Sequence, residues 1–232
     1  MSLERHDFAD RQALADALAG SVAGDLAAGI ARRGSAALAV SGGSTPGLFF
    51  AALSAHAEIE WHKVVVTLVD ERWVDEASDR SNARLVKENL LRGPASRARF
   101  VPLHVPGAEP DASALQAVAR NLADVPTPFD AVVLGMGSDG HTASFFPGGD
   151  TLEAALADPG PVISIRAPGA GEPRITLTLP RLLATKALYL HIEGGQKARV
   201  LETALGDGPV AEMPVRAVLR QIERPVAVYW CP

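Results

Sequence analysis

Apolar and polar positions change period several times along this chain, in a recurring order. Leu14, Leu18, Val22, Leu26 and Ile30 recur at every fourth position, and Gly34 follows them. That spacing lays one apolar stripe along a helix and ends it at a glycine, so a long amphipathic helix is predicted from about residue 7 to 33. AALAV (36–40) is short, apolar and partly β-branched, and it runs through SGGSTP (41–46) into LFFAALSA (48–55). The order predicted is strand, glycine loop, helix. KVVVTLVDE (63–71) reads as one continuous apolar strand ending in acids. SNARLVKENLL (81–91) and ASALQAVARNLAD (112–124) read as helices, and FDAVVL (129–134) as a strand entering the loop GMGSDGH (135–141). PVISIR (161–166), RITLTL (174–179), KALYLHIEG (186–194) and PVAVYW (225–230) are further strands. QKARVLETAL (196–205) and PVRAVLRQI (214–222) are further helices.

Strands buried on both faces give unbroken apolar runs such as VVVTLV. Their alternation with helices predicts an α/β fold with a mainly parallel sheet, here as one domain over residues 1–232. Such folds bind ligands at the carboxyl ends of their strands. SGGSTP, DERW (70–73) and GMGSDGH each follow a predicted strand, so three separate segments converge on one sheet edge.

Composition narrows the class. The 232 residues are 47% apolar and 21% charged, a globular balance. A net charge of −5 gives no basic footprint for nucleic acid, yet a local pocket can oppose it. The single cysteine, Cys231, precludes an internal disulfide or a Cys-based metal cluster. The N-terminal stretch is charged where a signal peptide is apolar, and no apolar run approaches the ~20 residues of a membrane span. A soluble, cytoplasmic protein without membrane or nucleic-acid partners is expected. No HxH or HExxH spacing occurs, so neither a metal nor another cofactor is expected.

Each motif has a chemical and a plain structural reading. Gly42 and Gly43 let backbone approach a ligand, and the helix start behind Ser44, Thr45 and Pro46 offers N–H groups suited to phosphate. The alternative is a tight turn with a Ser or Thr cap. Arg72 can grip an anion with its planar fork, with Asp70 or Glu71 orienting it or binding sugar hydroxyls. The alternative is a surface cluster of ion pairs. In GMGSDGH, His141 follows Asp139 on a glycine-rich turn, the pairing of a general base with the carboxylate that sets its tautomer. A structural histidine is the alternative, and the glycine-flanked strand end favours function. Thr142 and Ser144 read as caps of a short helix. Lys197, after Gly194 and Gly195, reads either as a phosphate contact or as a solvated lysine at a helix start, and Arg174 adds a second cation. His191 reads as strand packing, and His6, His56, His62 and His104 as peripheral.

SGGSTP, DERWV followed by Ser81 and Asn82, GMGSDGHTASFFPG (135–148), RITLTLP (174–180) and GGQKA (194–198) occur in this order over roughly residues 40–200. Together they resemble the 6-phosphogluconolactonase family. The resemblance implies a Rossmann-like sheet with a smaller appended α/β lobe, a monomer, and metal-free hydrolysis of 6-phosphogluconolactone in the oxidative pentose phosphate pathway. It implies His141 as the base that activates water and Asp139 as its orienting acid. Gly43, Ser44, Thr45, Arg72, Arg174 and Lys197 would hold phosphate and sugar. Gly42 and Asp70 join them as candidates from their motifs alone, and backbone N–H groups within 135–140 are candidate oxyanion donors from the glycine turn alone, with other donors left open. The family commonly has Leu where Phe145 or Phe146 stands. The nearest rival is the related glucosamine-6-phosphate deaminase family, in which the Asp-Gly-His segment runs on into an acid that assists the histidine. Phe146 stands at that position here and carries no proton.

Overall fold

The structure is a computed structural model and describes residues 3–107 and 109–232. Met1 and Ser2 of the charged N-terminal stretch, and Ala108 of the 102–110 loop, lie outside them. The strands are β1 (Leu3–Asp7), β2 (Ala36–Val40), β3 (Val64–Leu68), β4 (Asp70–Arg72), β5 (Arg99–Val101), β6 (Phe129–Leu134), β7 (Val162–Ile165), β8 (Arg174–Leu177), β9 (Thr185–Glu193) and β10 (Val226–Cys231). The helices are α1 (Arg11–Arg33), α2 (Gly47–Ser54), α3 (Asn82–Asn89), α4 (Ala112–Leu122), α5 (Leu152–Ala157), α6 (Leu179–Leu183), α7 (Gly194–Leu205) and α8 (Val215–Arg220).

Among the described residues, seven strands form one sheet in the order β1-β10-β9-β6-β2-β3-β5, and every pairing in it is parallel. β2, β3 and β6 are buried along their whole length, which is why they read as unbroken apolar runs. The fold is thus the α/β class expected. The smaller lobe carries an antiparallel three-stranded sheet, β4-β8-β7.

β5, α5 and α6 have no counterpart among the predicted elements, α6 beginning at Leu179 inside the predicted strand RITLTL, and two other elements differ in kind. KVVVTLVDE is two strands in two sheets. At Val69 the N–H donates to Val40 O at 3.0 Å in the large sheet, and the carbonyl accepts from Leu177 N at 2.9 Å in the small one. Val69 is therefore the residue where the chain changes sheets. The second departure is the N-terminus, where Leu3–Asp7 is an edge strand beside Val226–Trp230 and α1 begins only at Arg11. Asp10 starts that helix, its side chain accepting from Ala13 N at 2.8 Å, and Gly34 ends it in the left-handed region at φ 78°.

α1 is long and apolar enough to cross a membrane, contrary to the expectation that no such run exists. Its stripe of Leu14, Leu18, Val22, Leu26 and Ile30 is buried in the core. Each buried leucine contributes about 1.5–3 kcal/mol relative to exposure.

Candidate active site

Nine of the ten residues expected at the site line one cavity of about 240 Å³ at the carboxyl ends of β2, β4, β6 and β9. The tenth, Asp139, stands behind His141. Asn82 and His191 also line it.

The loop after β2 is shaped by a close approach. A Cβ on Gly42 would lie 2.0 Å from Asn82 Oδ1, so only glycine leaves room for that amide, whose Nδ2 donates to Asp70 O at 3.0 Å. Ser41 Oγ accepts from Gly135 N at 3.0 Å and joins this loop to the one after β6. The capping alternative is not realised: Pro46 holds the N-cap position of α2 with no side-chain cap bond, and Ser44 and Thr45 line the cavity.

β4 and β8 place two cations side by side. In the antiparallel register Arg72 stands directly opposite Arg174. Like charges in that position repel, so the pair costs stability unless an anion joins it. Arg72 Nη1 donates to Arg80 O at 2.5 Å and Arg174 Nη2 to Ala170 O at 2.6 Å. The Nε of each is buried without a partner among the described residues. Burial pushes the Arg174 guanidinium downward in pKa, and Asp70, whose Oδ2 is 4.0 Å away, opposes that shift. Asp70 itself accepts from Ser144 Oγ at 2.6 Å. Glu71 faces away from the cavity and is not a surface acid. It is buried and accepts from the N–H groups of Arg72, Asn82 and Ala83, pinning the start of α3.

In the loop after β6, Asp139 Oδ1 lies 2.6 Å from His141 Nδ1 and also accepts His141 N–H at 3.1 Å. Burial pushes the Asp139 carboxyl up, but the hydrogen bond and charge of His141 outweigh it and bring it down to about 2. With Nδ1 engaged, Nε2 is the ring nitrogen left for chemistry. A Cβ on Gly137 would lie 2.1 Å from His141 Nδ1 and 2.5 Å from Asp139 Oδ1, so glycine is what lets the pair form. Phe146 stacks on the imidazole with centroids 4.2 Å apart, and the Arg174 guanidinium lies 5.3 Å from the centre of the Phe146 ring. Thr142 and Ser144 cap no helix. Thr142 Oγ1 donates to Gly135 O at 2.7 Å, closing the loop, and Ser144 holds Asp70. The N–H groups of Gly135, Gly137 and Gly140 are already committed to Ser41 Oγ, His141 O and Gly137 O, so they do not serve as oxyanion donors in this state.

Lys197 sits in the first turn of α7 and makes no ion pair among the described residues. Burial pushes its ammonium downward in pKa, and Asp139 opposes that. Three cations thus line the cavity of a chain with net charge −5. Among the described residues no group of three His, Cys, Asp or Glu side chains is placed to hold a metal ion. Asn82 was part of the Ser81–Asn82 motif but was given no role from sequence, and His191 carried no signal beyond its strand.

The model of the family described as glucosamine-6-phosphate isomerases/6-phosphogluconolactonase matches residues 9–230. A curated 6-phosphogluconolactonase of Rhizobium meliloti (strain 1021) is 53% identical over 234 residues, covering 100% of both chains. One of Pseudomonas aeruginosa is 42% identical over 217 residues, covering 93% of this chain and 89% of its own. A crystal structure of a 6-phosphogluconolactonase from Shewanella baltica OS155 has a TM-score of 0.96 at 41% identity, covering 99% of this chain and 98% of that one. The match to the family model and the full-length identity agree: this chain belongs to the glucosamine-6-phosphate isomerase/6-phosphogluconolactonase family.

Proposed function

We propose that this protein hydrolyses 6-phosphoglucono-1,5-lactone to 6-phosphogluconate, with His141 as general base. The observation that carries the reading is the His141–Asp139 pair, 2.6 Å apart, opening on a cavity lined by Arg72, Arg174 and Lys197. The names of the full-length relatives supply the substrate class. The stacked Phe146 favours lactone hydrolysis over ring-opening deamination, because no acid stands there to relay protons.

The phosphate docks against the glycine loop, with Ser44 and Thr45 donating and the unpaired guanidinium edges and Lys197 neutralising its charge. Docking fixes the lactone carbonyl near His141 and lowers the entropic cost of attack. Nε2 takes a proton from water while the water oxygen bonds to the lactone carbon and the carbonyl electrons move to oxygen. The tetrahedral adduct then collapses, the bond from carbon to ring oxygen breaks, and the histidinium returns its proton to that oxygen. Asp139 stays ionised throughout, since its carboxyl lies near 2, and steadies the imidazolium.

The test compares three substrates with the purified protein: 6-phosphogluconolactone made in situ, unphosphorylated gluconolactone, and glucosamine 6-phosphate. Accelerated clearance of the first, weak action on the second and none on the third is expected. Deamination of the third, or no acceleration of the first, overturns the reading.

A further inference from the structure

His191 is read from sequence as packing, yet its surroundings are those of a recognition group. It lies on β9 one residue beyond Leu190, which pairs with Leu134 at the end of β6. The ring therefore stands at the level where the β6 loop begins, and it lines the cavity although its side chain is only 4% exposed. Phe49 meets it edge-on at 6.2 Å and 79°, closing one side to water.

Nε2 lies 3.2 Å from Glu193 Oε1, and Glu193 Oε2 in turn receives Arg11 Nε at 3.0 Å. Glu193 occupies the N-cap position of α7 but makes no side-chain cap bond there. Its carboxylate is committed to His191 and Arg11 instead. A carboxylate on Nε2 places the proton on that nitrogen and leaves a lone pair on Nδ1. Among the described residues the His191 ring makes one hydrogen bond, the one from Nε2 to Glu193, and none at Nδ1.

We propose that His191 is a specificity-determining residue whose Nδ1 accepts a hydrogen bond from a hydroxyl of the bound sugar. This rests on the lactonase reading and deepens it. The cations of the cavity recognise the phosphate; His191 adds an acceptor, which suits a hydroxyl and repels a phosphate oxygen. A sugar bearing its hydroxyl at that height is thereby held with its ring against β9, and Glu193 with Arg11 keeps the acceptor tautomer in place.

Two substitutions separate this from a structural role. Asn places its amide oxygen near the position of Nδ1, and Gln places its amide near that of Nε2. We expect His191→Asn, which keeps an acceptor at that position, to raise KM for 6-phosphogluconolactone less than His191→Gln does. His191→Gln, which can hold Glu193 but offers nothing to the sugar, is expected to raise KM roughly 2- to 10-fold with little change in kcat, the range of one net hydrogen bond. The reverse ranking, parent-like kinetics in both variants, or equal loss in both overturns the inference. Because either variant can fold poorly, the parent protein is also labelled with 15N-histidine and titrated with 6-phosphogluconate. A shift of the His191 Nδ1 resonance supports the contact, and an unmoved resonance at saturation overturns it. A parent that does not hydrolyse the lactone overturns the functional reading and this inference with it. An active parent with the wrong variant ranking overturns this inference alone.

Discussion

Arg174→Met separates the cost of the arginine pair from its use. Arg174 stands opposite Arg72 in the ladder and is almost fully buried, with an unpaired Nε. Methionine keeps much of the volume and removes the charge. The change loses the attraction of Asp70 at 4.0 Å, and it loses the bond to Ala170 O and the contact over Phe146, the last two worth about 0.5–1.5 kcal/mol each. It also relieves the repulsion with Arg72 and the desolvation of a buried cation, terms of similar size and opposite sign. The net change in stability is therefore expected within about 1 kcal/mol, or roughly 2–4 °C in Tm for a domain of this size. A hydrogen bond between ions is worth about 1.5–3 kcal/mol, so kcat/KM should fall roughly 10- to 150-fold if Arg174 grips the phosphate. Thermal unfolding by circular dichroism and lactone clearance by the same preparation give both numbers. A Tm lowered by 10 °C or more with unchanged kinetics would refute the assignment and make Arg174 a structural residue.

Two further outcomes follow from the His141 loop. Asp139 has a folded pKa of about 2, below that of an ordinary carboxylate, so the folded state binds this proton more weakly than the unfolded chain does. Its contribution is thus present above about pH 4 and is lost as pH falls toward 2. Asp139→Asn should be less stable than the parent at pH 6, with the gap closing between pH 4 and 2 in thermal melts; a gap independent of pH would contradict this. Gly137→Ala, whose new methyl would meet His141 Nδ1 and Asp139 Oδ1, should fold yet lose turnover about as fully as removal of the histidine, and parent-like turnover would show that the pair tolerates displacement.

Much of this architecture is legible in the residues because parallel strands buried on both faces leave continuous apolar runs, and because the polar loops follow them. β2 with SGGSTP and β6 with GMGSDGH are the plain cases. What was illegible depends on partners distant in sequence. LERHD has no apolar face, since β1 is held at the sheet edge by its backbone ladder to β10 and by the His6 ring lying tilted against Tyr229. The sheet change at Val69 leaves no mark in VVVTLVDE, because it lies in which carbonyls its backbone meets. Arg72 and Arg174 could be read singly as cations; that they face each other is a matter of register. Ser144 and Thr142 followed a glycine turn as caps do, yet their partners are Asp70 and Gly135. His191 had the same surroundings in sequence as any core strand residue, and Glu193, Arg11 and Phe49 reach it only in the folded chain.

The central claim is that His141 supplies the proton transfer. Its most direct test is clearance of 6-phosphogluconolactone, generated in situ at slightly acidic pH to slow spontaneous opening, by the parent, by His141→Ala and by buffer. Rapid clearance by the parent is expected, with kcat lowered about 10²–10⁴-fold in a folded His141→Ala protein. Equal clearance by parent and folded variant would contradict it and remove His141 from the chemistry.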